Sequence, residues 1–429
     1  MRKQTSILIL WSIASLFASC KNDDNSEASQ KNQAPEDFKL LTVGNTSTKI
    51  DLLPELTWEA ATDPEGDTVT YSVFLDTNST PQNSIATELT GTYFTILENL
   101  NLNTTYYWQV KATDSNDNTT NSEVFSFSTR NLKATLLTAN AGFSPRGAFT
   151  ATVFKDKIWV IGGRGPEDLI ITQHNDIWSS EDGENWTLAL TRAPFSKRSF
   201  LKSIVFKDKL WVIGGFARGL GSKNDVWSSE NGIDWDLEIE EANFPPLQNF
   251  ELLSFKDRLW IIGGQNQFTL QNKVWSSANG INWVEEVVTT PFASRTTAGE
   301  VFNNKLWIVS GFQVTSPNFS DVWSSNNGID WTLEIENAPF FPKSRHTVTV
   351  FSNHLWVIAG SNRNPDPLAA DFLSNTVWDS TDGKNWSNTE DSMPFLERSG
   401  HQTVQFNNGI LLLGGLSEEG FLNDAWFLN

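Results

Sequence analysis

Four histidines and one cysteine are the whole supply of imidazole and thiolate metal ligands in this chain of 429 residues. His174, His346, His354 and His401 include no pair at metal-ligand spacing. A lone Cys20 forms no thiolate zinc cage, no iron–sulfur cluster and no intrachain disulfide. No serine sits in a nucleophile elbow. The sequence therefore calls for no metal, no cofactor and no assigned catalytic residue, and the chemistry left to it is that of charge. Arg146, Arg198, Arg295, Lys343, Arg345 and Arg398 return at nearly regular intervals, with His346 and His401 close behind. Such a collar either ties neighbouring strands together or draws an anion toward the space it surrounds. Arg164, Arg218 and Arg363 fall outside that interval, and His174 shares a segment with the first of them. As one-off cations they read as ligand contacts. Glu251 and Glu300 are carboxylates that could act as a general base beside an arginine.

What positions these residues is a set of strands written six times. The block Phe-Lys-Asp-Lys-Ile-Trp-Val-Ile-Gly-Gly ends at Gly163 and recurs ending at Gly215, with variants ending at Gly264, Gly311, Gly360 and Gly415. Trp159, Trp211, Trp260, Trp307 and Trp356 hold its centre, and Leu411 stands there in the sixth copy, at spacings of 52, 49, 47, 49 and 55 residues. A second column follows at Trp178, Trp227, Trp275, Trp323, Trp378 and Trp426, and a third at Trp186, Trp235, Trp283, Trp331 and Trp386. Each copy holds four short strands, and four strands repeating at about 50 residues make the blades of a propeller. The glycine pairs and the later Trp columns resemble kelch repeats over residues 134–429. The turn from Ser179 to Trp186 also resembles a partial Asp-box of sialidase-type propellers, its acidic position held by Glu181, Glu230, Ala278, Asn326 and Thr381.

The sixth copy stops at Asn429 after its third strand, while Ala134-Thr135-Leu136-Leu137-Thr138 stands unpaired before the first. That early strand should complete the last blade and hide its edge. The resemblance to kelch propellers implies ligand loops on the face that carries the connections between second and third strands and between blades. It also narrows the chemistry. A galactose oxidase-like copper radical site and a sialidase-like mechanism both require tyrosine, and Tyr71, Tyr93, Tyr106 and Tyr107 all precede the propeller.

Upstream, residues 1–19 read as a signal peptide, with a basic start and an apolar run too short to span a bilayer comfortably. Leu16-Phe17-Ala18-Ser19-Cys20 resembles a bacterial lipobox, which implies lipid on Cys20. The polar tether 20–34 begins with Lys21-Asn22-Asp23-Asp24-Asn25, similar to the surface-export signal of Bacteroidota lipoproteins. Residues 35–130 alternate as short strands between turn clusters and resemble a fibronectin type III domain, with an early Trp58 and a late Tyr106-Tyr107-Trp108 strand. Asp63, Glu65 and Asp67 either hold calcium or form a plain turn in which Gly66 supplies the positive φ. Asp67-Thr68-Val69, Asp379-Ser380-Thr381 and Asp391-Ser392-Met393 resemble Bacteroidota O-glycosylation acceptors.

With 51 acidic against 31 basic residues, the chain carries a formal charge of −20, which argues against nucleic acid as a partner. The expected fold is all-β: a sandwich over 35–130, then a six-bladed propeller over 131–429 closed by its own N-terminal strand. The expected function is a lipid-anchored outer-membrane binding protein, its loops recognising a glycan or an extracellular protein. The alternatives are a sugar mutarotase or epimerase resembling the six-bladed sialic-acid mutarotases, and a structural subunit of an outer-membrane complex.

Overall fold

The computed structural model describes residues 31–429 except 168–169, 288, 315–317, 363–370 and 390–392. Cys20, Arg363, Asp168, Asp366 and the acceptor Ser392 lie outside the described residues. Every regular element among the described residues is a strand, and they form two compact units. One holds the chain up to Ser47 with Pro54–Leu97 and Thr105–Phe127. The other holds Thr48–Leu53, Glu98–Thr104 and Ser128–Asn429.

In the first unit, Thr70–Asp76 and Thr105–Thr113 pair antiparallel, and both alternate between buried and partly exposed residues along their length. That alternation is what a sheet with one covered face requires. The buried face gathers Trp58, Tyr71, Val73, Trp108 and Val110. The Tyr71 hydroxyl accepts the Ala61 amide at 2.9 Å, so the ring is packed and its polar tip satisfied. In the acidic turn, Asp63 Oδ1 accepts the amides of Glu65 and Asp67, both at 3.0 Å. Oxygens of Asp63, Asp67 and Asp114 come within 4.8 Å of one another. Glu65 bonds Gln33 instead, so the acidic group contains Asp114 in its place.

The second unit is a β-propeller of six four-stranded antiparallel sheets. The innermost strands are Thr150–Phe154, Lys202–Phe206, Glu251–Phe255, Thr296–Phe302, Thr347–Phe351 and Gln402–Phe406. Each neighbours the next, and the last returns to the first. Ala134–Thr138 is the outer strand of blade 6, pairing Ala134 with Leu428 and Leu136 with Trp426. The ring is sealed by the strand the sequence left over.

The Trp columns show how the blades lock. Each second-strand indole donates Nε1–H within its own blade, Trp159 to the Phe154 carbonyl at 3.0 Å. In blades 1 to 4 its ring lies against a glycine of the following blade: a Cβ on Gly232 would stand 2.4 Å from Trp159, and one on Gly280 2.6 Å from Trp211. Gly232 also has φ 79°, so the turn needs glycine for its backbone as well as for its neighbour. Leu411 fills the same role against Gly183. In these turns Ser180 Oγ accepts the Gly183 amide and Asp182 Oδ1 accepts those of Glu184 and Asn185. Asn231, Asn279, Asn327 and Asp382 recur at that place, so the turn is capped there and not at the Glu181 column read as its acidic position.

Candidate functional site

Four of the collar arginines are scaffold. Arg146 places Nη1 and Nη2 on the two oxygens of Asp176 at 2.7 and 2.8 Å, Nε on the Ser144 carbonyl, and its remaining protons on Gly162 O and Ser144 Oγ. Arg198 repeats the arrangement with Asp225, Arg295 with Asp321 and Arg398 with Asp424. All four guanidinium groups are fully buried. The expectation that they contact a ligand is corrected on that ground, since Arg146 and Arg198 have no donor left to offer. Burial alone would raise Asp176 and Asp225, but the guanidinium beside each holds its carboxyl below the usual range. Lys343 takes the place in blade 5 without a carboxylate: Nζ donates to Ala359 O, Ser374 Oγ and Thr376 Oγ1, and burial pushes its pKa down to about 8.

His346 and His401 are equally enclosed. His346 Nε2 donates to the Val309 carbonyl at 3.1 Å, and burial with the nearby Lys343 charge lowers its pKa to about 3. His401 reaches Thr347 Oγ1 and is likewise held neutral, by burial first and the Arg398 charge second. Both are buried and neither lines the open bowl described next; they line the narrow neck beneath it, and His346 the channel as well. His174 is half-buried at the end of its hairpin and does not line the cavity described next. The acceptor at Asp379-Ser380 is also corrected: both residues are buried, and Ser380 Oγ caps its own turn.

Arg164, Arg218 and Arg345 come together. They line one open bowl of about 1010 Å³ over blades 1 to 3, completed by residues from blades 4 and 5. Two positions in each repeat build it. The residue after each glycine pair is held by a short bridge to the preceding blade junction, Arg164 to Gly147, Phe216 to Ser199 and Gln265 to Gln248. With Phe312, those residues line the wall. The second position lies two residues past each junction position, where Ala148, Phe200, Asn249, Arg345 and Gly400 adopt φ between 52° and 64°. Phe200, Asn249 and Arg345 hold this left-handed backbone without being glycine and turn their side chains into the bowl.

The rim is apolar: Ile171, Leu220 and Phe268 are exposed, Phe268 to 89%. Gln248, Asn249, Gln265 and Gln267 add amides. Arg218 is oriented by its amide on Gln173 Oε1 and by Nη1 on the Ile171 carbonyl. Arg164 stacks its guanidinium over Phe200, 5.2 Å from the ring centroid.

Below the bowl a neck of about 60 Å³ leads into a central channel of about 540 Å³ between the innermost strands. There Lys202 pairs with Glu251 at 3.0 Å. Glu300 accepts only the Val301 amide among the described residues, and burial pushes its pKa up to about 7, the Glu251 charge assisting. Glu251 is raised too, by burial, against the pull of Lys202. Neither carboxylate lines the bowl, so the structure does not place Glu251 or Glu300 as a base beside its arginines. Sequence reasoning missed Phe200, Phe268 and the amides; the amide-rich run Gln265–Gln271 was the one visible trace of them.

Comparison with known proteins agrees with this architecture. The family model described as the DUF6242 beta propeller domain matches residues 207–324, which run from the first hairpin of blade 2 to the third strand of blade 4. No curated protein matches the chain. Among solved structures, one titled "Structure of YjhT" is similar with a TM-score of 0.56 and 13% identity, over 67% of this chain and 96% of that one. The chain is thus an all-β protein whose larger unit is a β-propeller, like that neighbour in fold.

Proposed function

We propose that this chain is a binding protein whose propeller takes a glycan in the bowl. In this reading a kelch-like propeller follows a fibronectin type III-like spacer in a chain anchored by lipid on Cys20 to the outer membrane and exposed to the medium. The single observation that carries the binding site is the bowl itself. It opens over the loops in which the blades differ, and joins exposed apolar side chains to amides and cations, the mixture that carbohydrate faces and hydroxyls require. Melting the full chain against a panel of neutral and acidic oligosaccharides tests it. A sugar at a hundredfold excess over its dissociation constant should add about 2.7 kcal/mol to stability. A panel without any shift contradicts the glycan reading and favours an extracellular protein as the partner.

A second reading, a sugar mutarotase or epimerase, draws on one observation: Glu300, poised near neutrality, suits proton transfer. Its place beneath the neck, apart from the arginines, weighs against it. Accelerated anomer exchange in an NMR assay, lost in Glu300→Gln, would reverse that preference.

A further inference from the structure

We infer that the ligand of the bowl carries an oxyanion, a carboxylate or a sulfate ester, and that Arg164 and Arg345 together seat it. The inference rests on the glycan reading and names the chemical class of that ligand.

The argument begins from how this chain treats its other arginines. Arg146, Arg198, Arg295 and Arg398 each meet an aspartate, and Arg258 meets Glu286. The three in the bowl make no salt bridge among the described residues. The described residues that line the bowl with them include no aspartate or glutamate. A protein with a formal charge of −20 has carboxylates to spare, yet the charged side chains that line this cavity among the described residues are all arginines.

Arg164 and Arg345 also line that space together, near enough for the charge of one to act on the other. Each is pushed below the ordinary arginine range by burial, and the charge of Arg345 adds to the effect on Arg164. Arg345 keeps solvent access although protein surrounds it, because it projects into a recess. Asp371, itself exposed, is the carboxylate whose field reaches it. Two guanidinium groups brought together at the cost of their own repulsion are stabilised by an anion between them.

The donors are also prepared for such a group. Arg164 Nε is buried and finds no acceptor among the described residues, an orphan that an oxyanion oxygen would satisfy. Phe200 beneath its guanidinium fixes the plane of the fork. Phe268, Leu220 and Ile171 offer the apolar surface on which a sugar ring lies, and the amides of Gln248, Asn249 and Gln265 can exchange hydrogen bonds with its hydroxyls. A guanidinium pair with aromatic and amide walls matches an acidic sugar better than a bare inorganic anion.

The test is calorimetric titration of the full chain with three probes of matched length: an oligogalacturonate, its carboxyl-reduced neutral counterpart, and a sulfated galactan fragment. The oligogalacturonate or the sulfated fragment should bind at least about tenfold tighter than the neutral sugar, with affinity falling as salt rises. Which of the two binds tells carboxylate from sulfate. Arg164→Gln and Arg345→Gln should each weaken the acidic probe by about tenfold or more, with melting temperature and neutral-sugar binding unchanged. Arg345→Lys, which keeps the charge and loses the fork, should fall between. Exposed Arg192→Gln, remote from the bowl, should change nothing. Equal affinity for neutral and acidic probes would overturn the oxyanion inference and leave the glycan reading standing. Absence of binding to all three overturns both.

Discussion

Arg198→Leu should cost about 3–5 kcal/mol of folding stability, although the side chain touches no ligand. Its guanidinium uses all five protons, on Ser196 O at 3.1 Å, Ser196 Oγ at 3.0 Å, Gly214 O at 2.9 Å, and the Asp225 oxygens at 2.6 and 2.8 Å. Removing it leaves Asp225 enclosed, with the Trp227 indole N–H at 2.9 Å and the nearby Lys223 charge left to offset its own. The Gly214 carbonyl and both Ser196 acceptors lose their donor as well. Since domains are stable by only about 5–15 kcal/mol, the loss is a large share of the total. Denaturant unfolding of the variant measures it directly. The double variant Arg198→Leu/Asp225→Leu should recover most of the loss, because an apolar pair leaves no charge buried alone. A single-variant cost under about 1 kcal/mol would mean that the junction arginines are not the ties described here.

Glu300→Gln should instead make the protein more stable, and only at higher pH. Burial in the channel wall is the main cause of its raised pKa; the Val301 amide opposes it and the Glu251 charge reinforces it. Because the folded pKa, about 7, lies above the ordinary 4.5, the folded state keeps a proton that the unfolded chain has released across that window. Below pH 4.5 both states hold the proton and the contribution is fully present; it is lost as pH rises toward 7. At about 1.36 kcal/mol per unit, the cost of carrying an ionised Glu300 at pH 8 is roughly 3 kcal/mol, which Gln does not incur. Unfolding measured at pH 4, 6 and 8 should therefore show parent and variant nearly equal at the first and well separated at the last. A difference that does not change with pH would show that folding leaves the Glu300 pKa unshifted.

These two residues also mark what the sequence could and could not show. The propeller was legible because its glycine and Trp columns are local: Gly232 needs its positive φ and its bare Cα wherever Trp159 packs. The closing strand was legible as an arithmetic remainder, Ala134–Thr138 in front and a missing strand behind. The role of the collar was not, because Arg146 finds Asp176 thirty residues downstream. The signal was present in the repeats all the same. Aspartate stands before the second Trp column at Asp176, Asp225, Asp321 and Asp424, in the copies whose junction holds Arg. Where Leu247 and Lys343 replace that arginine, Lys273 and Thr376 replace the aspartate.

The bowl was half legible. Arg164 and Arg218 stood out as unrepeated cations, and Arg345 was read as part of the collar although it belongs to a different column. Aligning the copies on their glycines and on their junction residues would have separated two variable columns. One runs Arg164, Phe216, Gln265, Phe312, Ser361, Leu416; the other Ala148, Phe200, Asn249, Thr297, Arg345, Gly400. What no alignment of this kind reveals is the left-handed backbone at Phe200 and Arg345, since neither residue type announces it. That turn of the chain is what aims both side chains inward.

The account stands or falls on the claim that function resides in the variable bowl and not in the repeated scaffold. Hydrogen exchange of the full chain, with and without the tightest-binding sugar of the panel, tests it most directly. Protection should appear in Ile170–Gln173, Phe216–Gly221 and Gln265–Leu270, the three segments that wall the bowl. Protection confined to the opposite hairpin tips, Lys155–Lys157 and Lys207–Lys209, or to the N-terminal unit, would contradict it.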